Sequence, residues 1–194
     1  MPSIADMRDL SLHVLDLAQN SIAAGAALVV IRIEIGADGW LTLTLADDGR
    51  GMSEELMRRV TSPFATTRTT RKVGMGIPLM QENAQRAGGD LTLQSQLGKG
   101  TVLKATMDTG NIDCLPLGDL PGTLLSLILT NPETPDFRFE GKTVKGECVF
   151  DTREVRQALQ GVPLNEPAVA AWLKEALEEA INPIFGGVYH EIFG

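Results

Sequence analysis

Residues 27–53 read ALVVIRIEIGADGWLTLTLADDGRGMS, and the alternation in this stretch decides the fold. Val29, Ile31, Ile33 and Ile35 share one face of a strand, with Arg32 and Glu34 on the other. After the turn GADG, Leu41, Leu43 and Leu45 share one face, with Thr42 and Thr44 opposite. Period-two alternation with one apolar face describes a half-buried hairpin. Asp47 has the parity of the three leucines, so it ends the core-facing row, while Asp48 points the other way. A carboxylate carried into a core is costly without a donor. A turn amide or the amine of a ligand could supply one. Gly49 and Gly51 permit close backbone approach beside it. Asp and Gly also dominate ordinary turns, and the twelve-residue oxygen pattern of a calcium loop is absent.

Working outward, Arg8–Ala24 has helical spacing and Gly25 as its stop. Ser53 can cap a short helix, EELMRRV. TSPFATTRTTRKVGMGI shows no periodicity and reads as a long loop. Ile77–Ala87 is a second long helix, and DLTLQSQ and TVLKATM are two more alternating strands joined by LGKG. This gives an α+β two-layer sandwich, four strands with helices on one face, ending near Asp108. A boundary is placed between 112 and 113. The remainder, 113–194, reads as a small α/β C-terminal domain packed on the first. It holds a short apolar helix (DLPGTLLSLIL), two strands around a turn (DFRFEGKTVKGECVFDT) and a helix opened by Asp151 and Glu154. A last helix has Pro167 in its first turn and Val169, Trp172 or Leu173, Leu177 and Ile181 on one face.

The chain has 194 residues and a formal net charge of −8, which argues against a direct nucleic-acid binder. Cys114 and Cys148 lack metal-ligand spacing and read as free thiols of a reducing cytoplasm. No signal pattern or membrane-length apolar run is visible, so a cytoplasmic protein is expected.

Three further segments bear on Asp47. His13, Asp16 and Asn20 share one face of the first helix, a polar stripe that fits a wet site or a solvated surface. Gly74 and Gly76 stand directly before a helix, whose free amides suit a phosphate. LGKGT joins two strands. Each is weak alone, but four in this order is not.

Together, LDLAQNSIAAGA, DDGRGM, GMGIPL and GKGT resemble the four boxes of one ATP-binding domain, in the same order. Gyrase, heat-shock chaperones, histidine kinases and the mismatch-repair ATPase MutL share it as the Bergerat-fold (GHKL) superfamily. From SPF to GKGT the wording is most similar to histidine kinases, whereas AQNSIAAGA is more similar to MutL. The resemblance implies helices on one face of a mixed or antiparallel sheet of four or five strands. It implies that Asn20 holds a magnesium ion bridging the phosphates of ATP and that Asp47 accepts the adenine amino group. Gly49, Gly51 and Met52 fall in the box beside the base, and Thr101 supports that end through the aspartate. Residues 62–76 match the lid, with Gly74 and Gly76 at the triphosphate, and Met75 and Ile77 are implied to bind nucleotide with them. Thr66, Thr67, Arg68 and Lys72, with Thr69, Thr70 and Arg71, offer hydroxyls and cations to phosphate.

Two departures matter. The family usually has asparagine where Asp48 stands, which implies a place near metal or water. Asp16 stands where gyrase, MutL and the anti-sigma serine kinases place a glutamate that acts as general base, and where histidine kinases commonly place asparagine. His13 could adjust Asp16 or sit on the helix surface. Nothing in the chain resembles the dimerising helical domain that carries a phosphoacceptor histidine. The leading expectation is a magnesium–ATP-binding regulator that phosphorylates or switches a protein partner. An ATP-hydrolysing clamp that dimerises on ATP, and a binding module without turnover, are the alternatives.

Overall fold

A computed structural model describes residues 8–60 and 76–187. The chain runs α1 (Leu10–Ala23), β1 (Leu28–Ile35), β2 (Trp40–Asp47), α2 (Glu54–Val60), α3 (Gly76–Arg86), β3 (Leu91–Gln96), β4 (Gly100–Asp108), α4 (Leu120–Thr130), β5 (Asp136–Thr143), β6 (Gly146–Asp151), α5 (Thr152–Leu159) and α6 (Pro167–Phe185). Its strands form one mixed sheet ordered β3-β4-β2-β1-β5-β6.

The opening hairpin pairs as its alternation requires, from Val29 opposite Asp47 to Ile35 opposite Leu41. Ile31, Ile33, Leu41 and Leu43 are fully buried, and each stabilises the fold by roughly 1.5–3 kcal/mol. Helix α1 starts two residues after Arg8 because Asp9 caps it, accepting from Leu12 N at 3.0 Å. Leu10, Val14 and Leu17 form its buried stripe. Helices α1, α3 and α6 pack on the sheet, and α4 lies against both α1 and α6.

The sheet is wider than the expected four or five strands. It has six, because residues beyond 112 continue it. Strand β5 lies parallel to β1, from Leu28 opposite Asp136 to Glu34 opposite Lys142, and β6 pairs antiparallel to β5. The segment between β4 and α4 is pinned: Leu10 N donates to Pro116 O and Ser11 N to Leu117 O. These amides of the first turn of α1 have no partner inside the helix, so the segment supplies one. Phe139 of β5 is buried with its ring centroid 6.3 Å from that of Phe185 on α6. On α6 the buried stripe runs through Leu173, and Trp172 is 50% exposed. Among the described residues no helix is long and apolar enough to cross a membrane.

Candidate functional site

The core face of the sheet ends in a polar rung. Register sets Ser95 opposite Thr101, and Thr101 opposite Asp47. The next rung inward is apolar, Leu93, Leu103, Leu45 and Ile31. Strand parity alone produces this step, since each strand keeps its apolar residues at alternate positions.

Helix α1 lies over the rung. Ser21 Oγ donates to Asp47 Oδ2 at 2.6 Å, and Gly49 N donates to Oδ1 at 2.9 Å. Asp47 therefore meets both a local amide and a helix hydroxyl, and a carboxylate retains further acceptor sites for a ligand. Ser21 was missed in the sequence. It continues the stripe Leu10, Val14, Leu17 and is 2% exposed, and a hydroxyl on a buried stripe calls for a partner. The turn after β2 is clamped under the end of α1. Arg50 N donates to Ala24 O at 3.0 Å, Arg50 Nη2 to Ala23 O at 3.1 Å, and a Cβ on Gly49 would stand 2.9 Å from Ala24 Cβ.

This turn also interlocks with the β3–β4 hairpin. Gly98 N donates to Arg50 O at 2.8 Å. Gly51 has φ +66°, and a Cβ there would collide with the Gln96 carbonyl. Gly100 has φ +88°, and a Cβ there would collide with the Asp47 carbonyl. Only glycine meets both demands.

Asp47, Asn20, Gly51, Met52, Ile77 and Thr101 line one cavity of about 140 Å³, with Ser21 and Arg50. Leu17, Leu45, Leu56, Leu93 and Leu103 supply apolar walls. Apolar walls around a few polar groups are the usual make-up of a small-molecule site. A wider groove of about 480 Å³ runs beside it along β3 and β4 and shares Leu93 and Thr101, but among the described residues no carboxylate lines it.

Asp48 is elsewhere. Its Oδ1 accepts from Ala27 N at 2.7 Å and Leu28 N at 2.9 Å. The opposite parity that turned it off the core face directs it to the amides that open β1. Through Oδ1 it holds the strand's start.

On the other side of Asn20, Asp16 faces α3. A Cβ on Gly76 would collide with Asp16 Oδ2, so the carboxylate is seated against the first residue of that helix. Asp16 Oδ2 and Asn20 Nδ2 are buried and have no hydrogen-bond partner among the described residues. Burial raises the Asp16 pKa. His13 is not on the surface: it is fully buried, with Nε2 3.0 Å from Asn83 Nδ2 of α3. Burial lowers its pKa to about 4 against a smaller opposing pull from Asp9, so its ring is neutral near pH 7. Its Nδ1 is buried without a partner among the described residues. Thr66, Thr67, Arg68, Thr69, Thr70, Arg71, Lys72, Gly74, Met75 and His190 lie outside the described residues.

Comparison with known proteins aligns residues 5–111, more than half of the chain, with the family model "Histidine kinase-, DNA gyrase B-, and HSP90-like ATPase". Histidine protein kinase DivJ of Caulobacter vibrioides is 32% identical over 111 residues, 53% of this chain and 18% of that protein. Sporulation kinase E of Bacillus subtilis is 34% identical over 65 residues, 34% of this chain and 9% of that one. The chain thus spans less than a fifth of either relative. Among solved structures, the N-terminal domain of a DNA repair protein superposes with a TM-score of 0.47 at 16% identity, covering 73% of this chain and 51% of that one.

Proposed function

The chain belongs to the histidine kinase-, DNA gyrase B- and HSP90-like ATPase family, and we propose that it binds ATP with magnesium and passes the terminal phosphoryl group to a hydroxyl on a protein partner. The observation that carries this reading is Asp16 Oδ2, buried, without a donor among the described residues, and seated against Gly76.

The adenine would take the cavity, its amino group donating to Asp47. The phosphates would run past Asn20 toward Gly76, where the amides that open α3 suit negative charge. Asn20 fits a metal–phosphate pair, since its amide oxygen is the kind of hard ligand magnesium takes and its orphaned Nδ2 is a donor for a phosphate oxygen. Among the described residues no group of three or more His, Cys, Asp or Glu could hold an ion by itself, so phosphate and water oxygens would complete the shell. When bound, magnesium neutralises charge on the phosphates.

Asp16 acts as general base. It takes the acceptor's proton as the hydroxyl oxygen bonds to the γ-phosphorus, and the bond from that phosphorus to the bridging oxygen breaks to leave ADP. Its raised pKa makes it a stronger base than a solvated aspartate. A hydroxyl nucleophile needs such a base and an imidazole does not. His13, enclosed against Asn83, is not the acceptor.

Calorimetric titration of ATP with magnesium is the first test. Wild type saturates, and Asp47→Asn binds roughly tenfold or more weakly through loss of a charge-assisted hydrogen bond. ATP labelled at the γ-phosphate, incubated with cell extract, then labels serine or threonine of a partner. Asp16→Ala slows that step by about 10²–10⁴ while keeping ATP affinity. Label released only as orthophosphate would make water the acceptor and the protein an ATPase. Absence of ATP binding by the folded chain would end the nucleotide reading.

A further inference from the structure

The polar rung contains a residue that lines no part of the cavity of Asp47 and yet governs what that cavity presents. Ser95 Oγ has one proton and two lone pairs. It lies 2.8 Å from the Gly100 carbonyl oxygen, which can only accept, so the serine proton goes there. Met52 N donates to the same Oγ at 2.8 Å. The remaining lone pair faces Thr101 Oγ1 at 2.9 Å. With the serine proton already used, Thr101 must be the donor of that bond. Thr101 also has a single proton. Having given it to Ser95, it offers only lone pairs to the cavity, beside the carboxylate of Asp47, which likewise only accepts.

We infer that Ser95 is a positioning residue that sets base selectivity: by taking the Thr101 proton it makes the Asp47–Thr101 end of the cavity acceptor-only. With the carbon-6 substituent at that end and N1 clear of it, an amino group there finds acceptors for its protons, whereas a carbonyl oxygen would face lone pairs. The inference rests on the ATP reading above and deepens it. Ser95 has a second task in the same bond set, since through Met52 N it ties the β2–α2 turn to the β3–β4 hairpin.

The probes are ATP and ITP, which differ in the hydrogen-bonding edge at carbon 6 and N1. Each is titrated with magnesium into wild type, Ser95→Ala, Ser95→Thr, Thr101→Val and the double variant Ser95→Ala/Thr101→Val. Ser95→Ala frees the Thr101 proton to turn inward and donate to the ITP carbonyl. The ratio of ATP to ITP affinity then falls by roughly two- to tenfold, the scale of one neutral hydrogen bond. Ser95→Thr, which keeps the hydroxyl, returns the ratio toward wild type. In the Thr101→Val background, Ser95→Ala leaves the ratio where Thr101→Val set it. Equal weakening of both nucleotides by Ser95→Ala, at constant ratio, would show a merely structural serine and overturn the inference. If circular dichroism shows Ser95→Ala unfolded, Thr101→Val carries the test alone: it removes the lone pairs, so the ratio must fall, and an unchanged ratio overturns the inference. Wild type that binds no ATP overturns the nucleotide reading itself, a result distinct from binding with unaltered selectivity.

Discussion

Asp151 and Asp16 are both carboxylates at the margin of the core, and their surroundings differ. Asp151 has a side chain 2% exposed and accepts from Arg138 Nη1 at 3.1 Å and Arg153 Nη2 at 2.6 Å. It also caps α5 through Arg153 N at 3.0 Å. Its pKa is held down to about 2, first by the hydrogen bond from the Arg153 side chain. Around it Glu140 accepts from Arg32 and Arg138, and Asp136 from Arg156 and Thr152. Among the described residues, the only buried orphan of this half is Arg156 Nη2. Asp16 has no such company: it, Asn20 and His13 each keep a buried atom unpaired among the described residues, all on one face of α1. A network closed on itself fixes packing. Buried polar groups left open cost stability, and the proposed ligand-facing role of Asp16 predicts such a cost.

The sharpest way to break this comparison is to remove the frame. Phe139→Ala empties a fully packed position between β5 and α6 and should cost about 3–5 kcal/mol. Trp40 lies in β2 and Trp172 in α6, so Trp40→Phe and Trp172→Phe versions report on each half separately by fluorescence in urea. One coincident transition, shifted for both reporters, is expected from a shared sheet. Two separate transitions would make the β5–β6 half an independent unit and not a frame for the site.

Acid separates the two regions next. His13 has a folded-state pKa of about 4 against 6.5 when unfolded. Between these values the unfolded chain holds more protons, so stability falls as pH drops from 6.5 to 4, by up to about 3 kcal/mol. Asp151, with its pKa lowered from 3.8 to about 2, gives stability that is present above pH 4 and lost as pH falls from about 4 to 2. Urea melts at pH 7, 5 and 3 should show the first loss before the second. His13→Gln should abolish the upper window and leave the lower one. Asp16 titrates with the opposite sign above pH 3.8, so the window is read in an Asp16→Asn background; a flat profile there between pH 6.5 and 4 would mean that His13 is not enclosed.

Much of this was legible in the chain because local period and parity carry it. The alternation of residues 28–47 gave the hairpin, and the parity of Asp47 put it on the core face at the strand's end, where its hydrogen bonds now lie. The stripe His13, Asp16, Asn20 was visible as spacing, but whether it faced water or α3 was not, because that depends on a helix many residues away. The partners of Asp48 Oδ1 were hidden for the same reason: Ala27 N and Leu28 N are adjacent to it only after the hairpin closes. The parallel pairing of β5 with β1 leaves no turn between the two strands to read, so the six-stranded width was hidden. Ser95 looked like an ordinary strand position. Its importance is a count of protons, which needs the distances to Gly100, Thr101 and Met52.

The smallest effect sharpens the comparison most directly. If Asp16 is a carboxylate kept open at a cost, neutralising it at constant size should stabilise the nucleotide-free protein. Asp16→Asn is expected to gain about 1 kcal/mol, or roughly 2–4 °C in Tm for a chain of this length. The sign follows from burial. A carboxylate whose folded pKa is raised holds more protons folded than unfolded above its ordinary value of 3.8. Stability therefore falls as pH rises through the window between that value and the folded pKa, and the full penalty persists above it. Asp16→Asn should remove that part of the pH dependence and raise the neutral-pH Tm together, while slowing the proposed phosphoryl transfer by about 10²–10⁴. Asp151→Asn, the matched change in the closed network, should instead lower Tm at pH 7, because it discards charge-assisted bonds to Arg138 and Arg153. Opposite signs from the same substitution would establish that the open groups of α1 are maintained against stability. A fall in both would mean that Asp16 is as fully answered as Asp151, and the case for a base at that position would go with it.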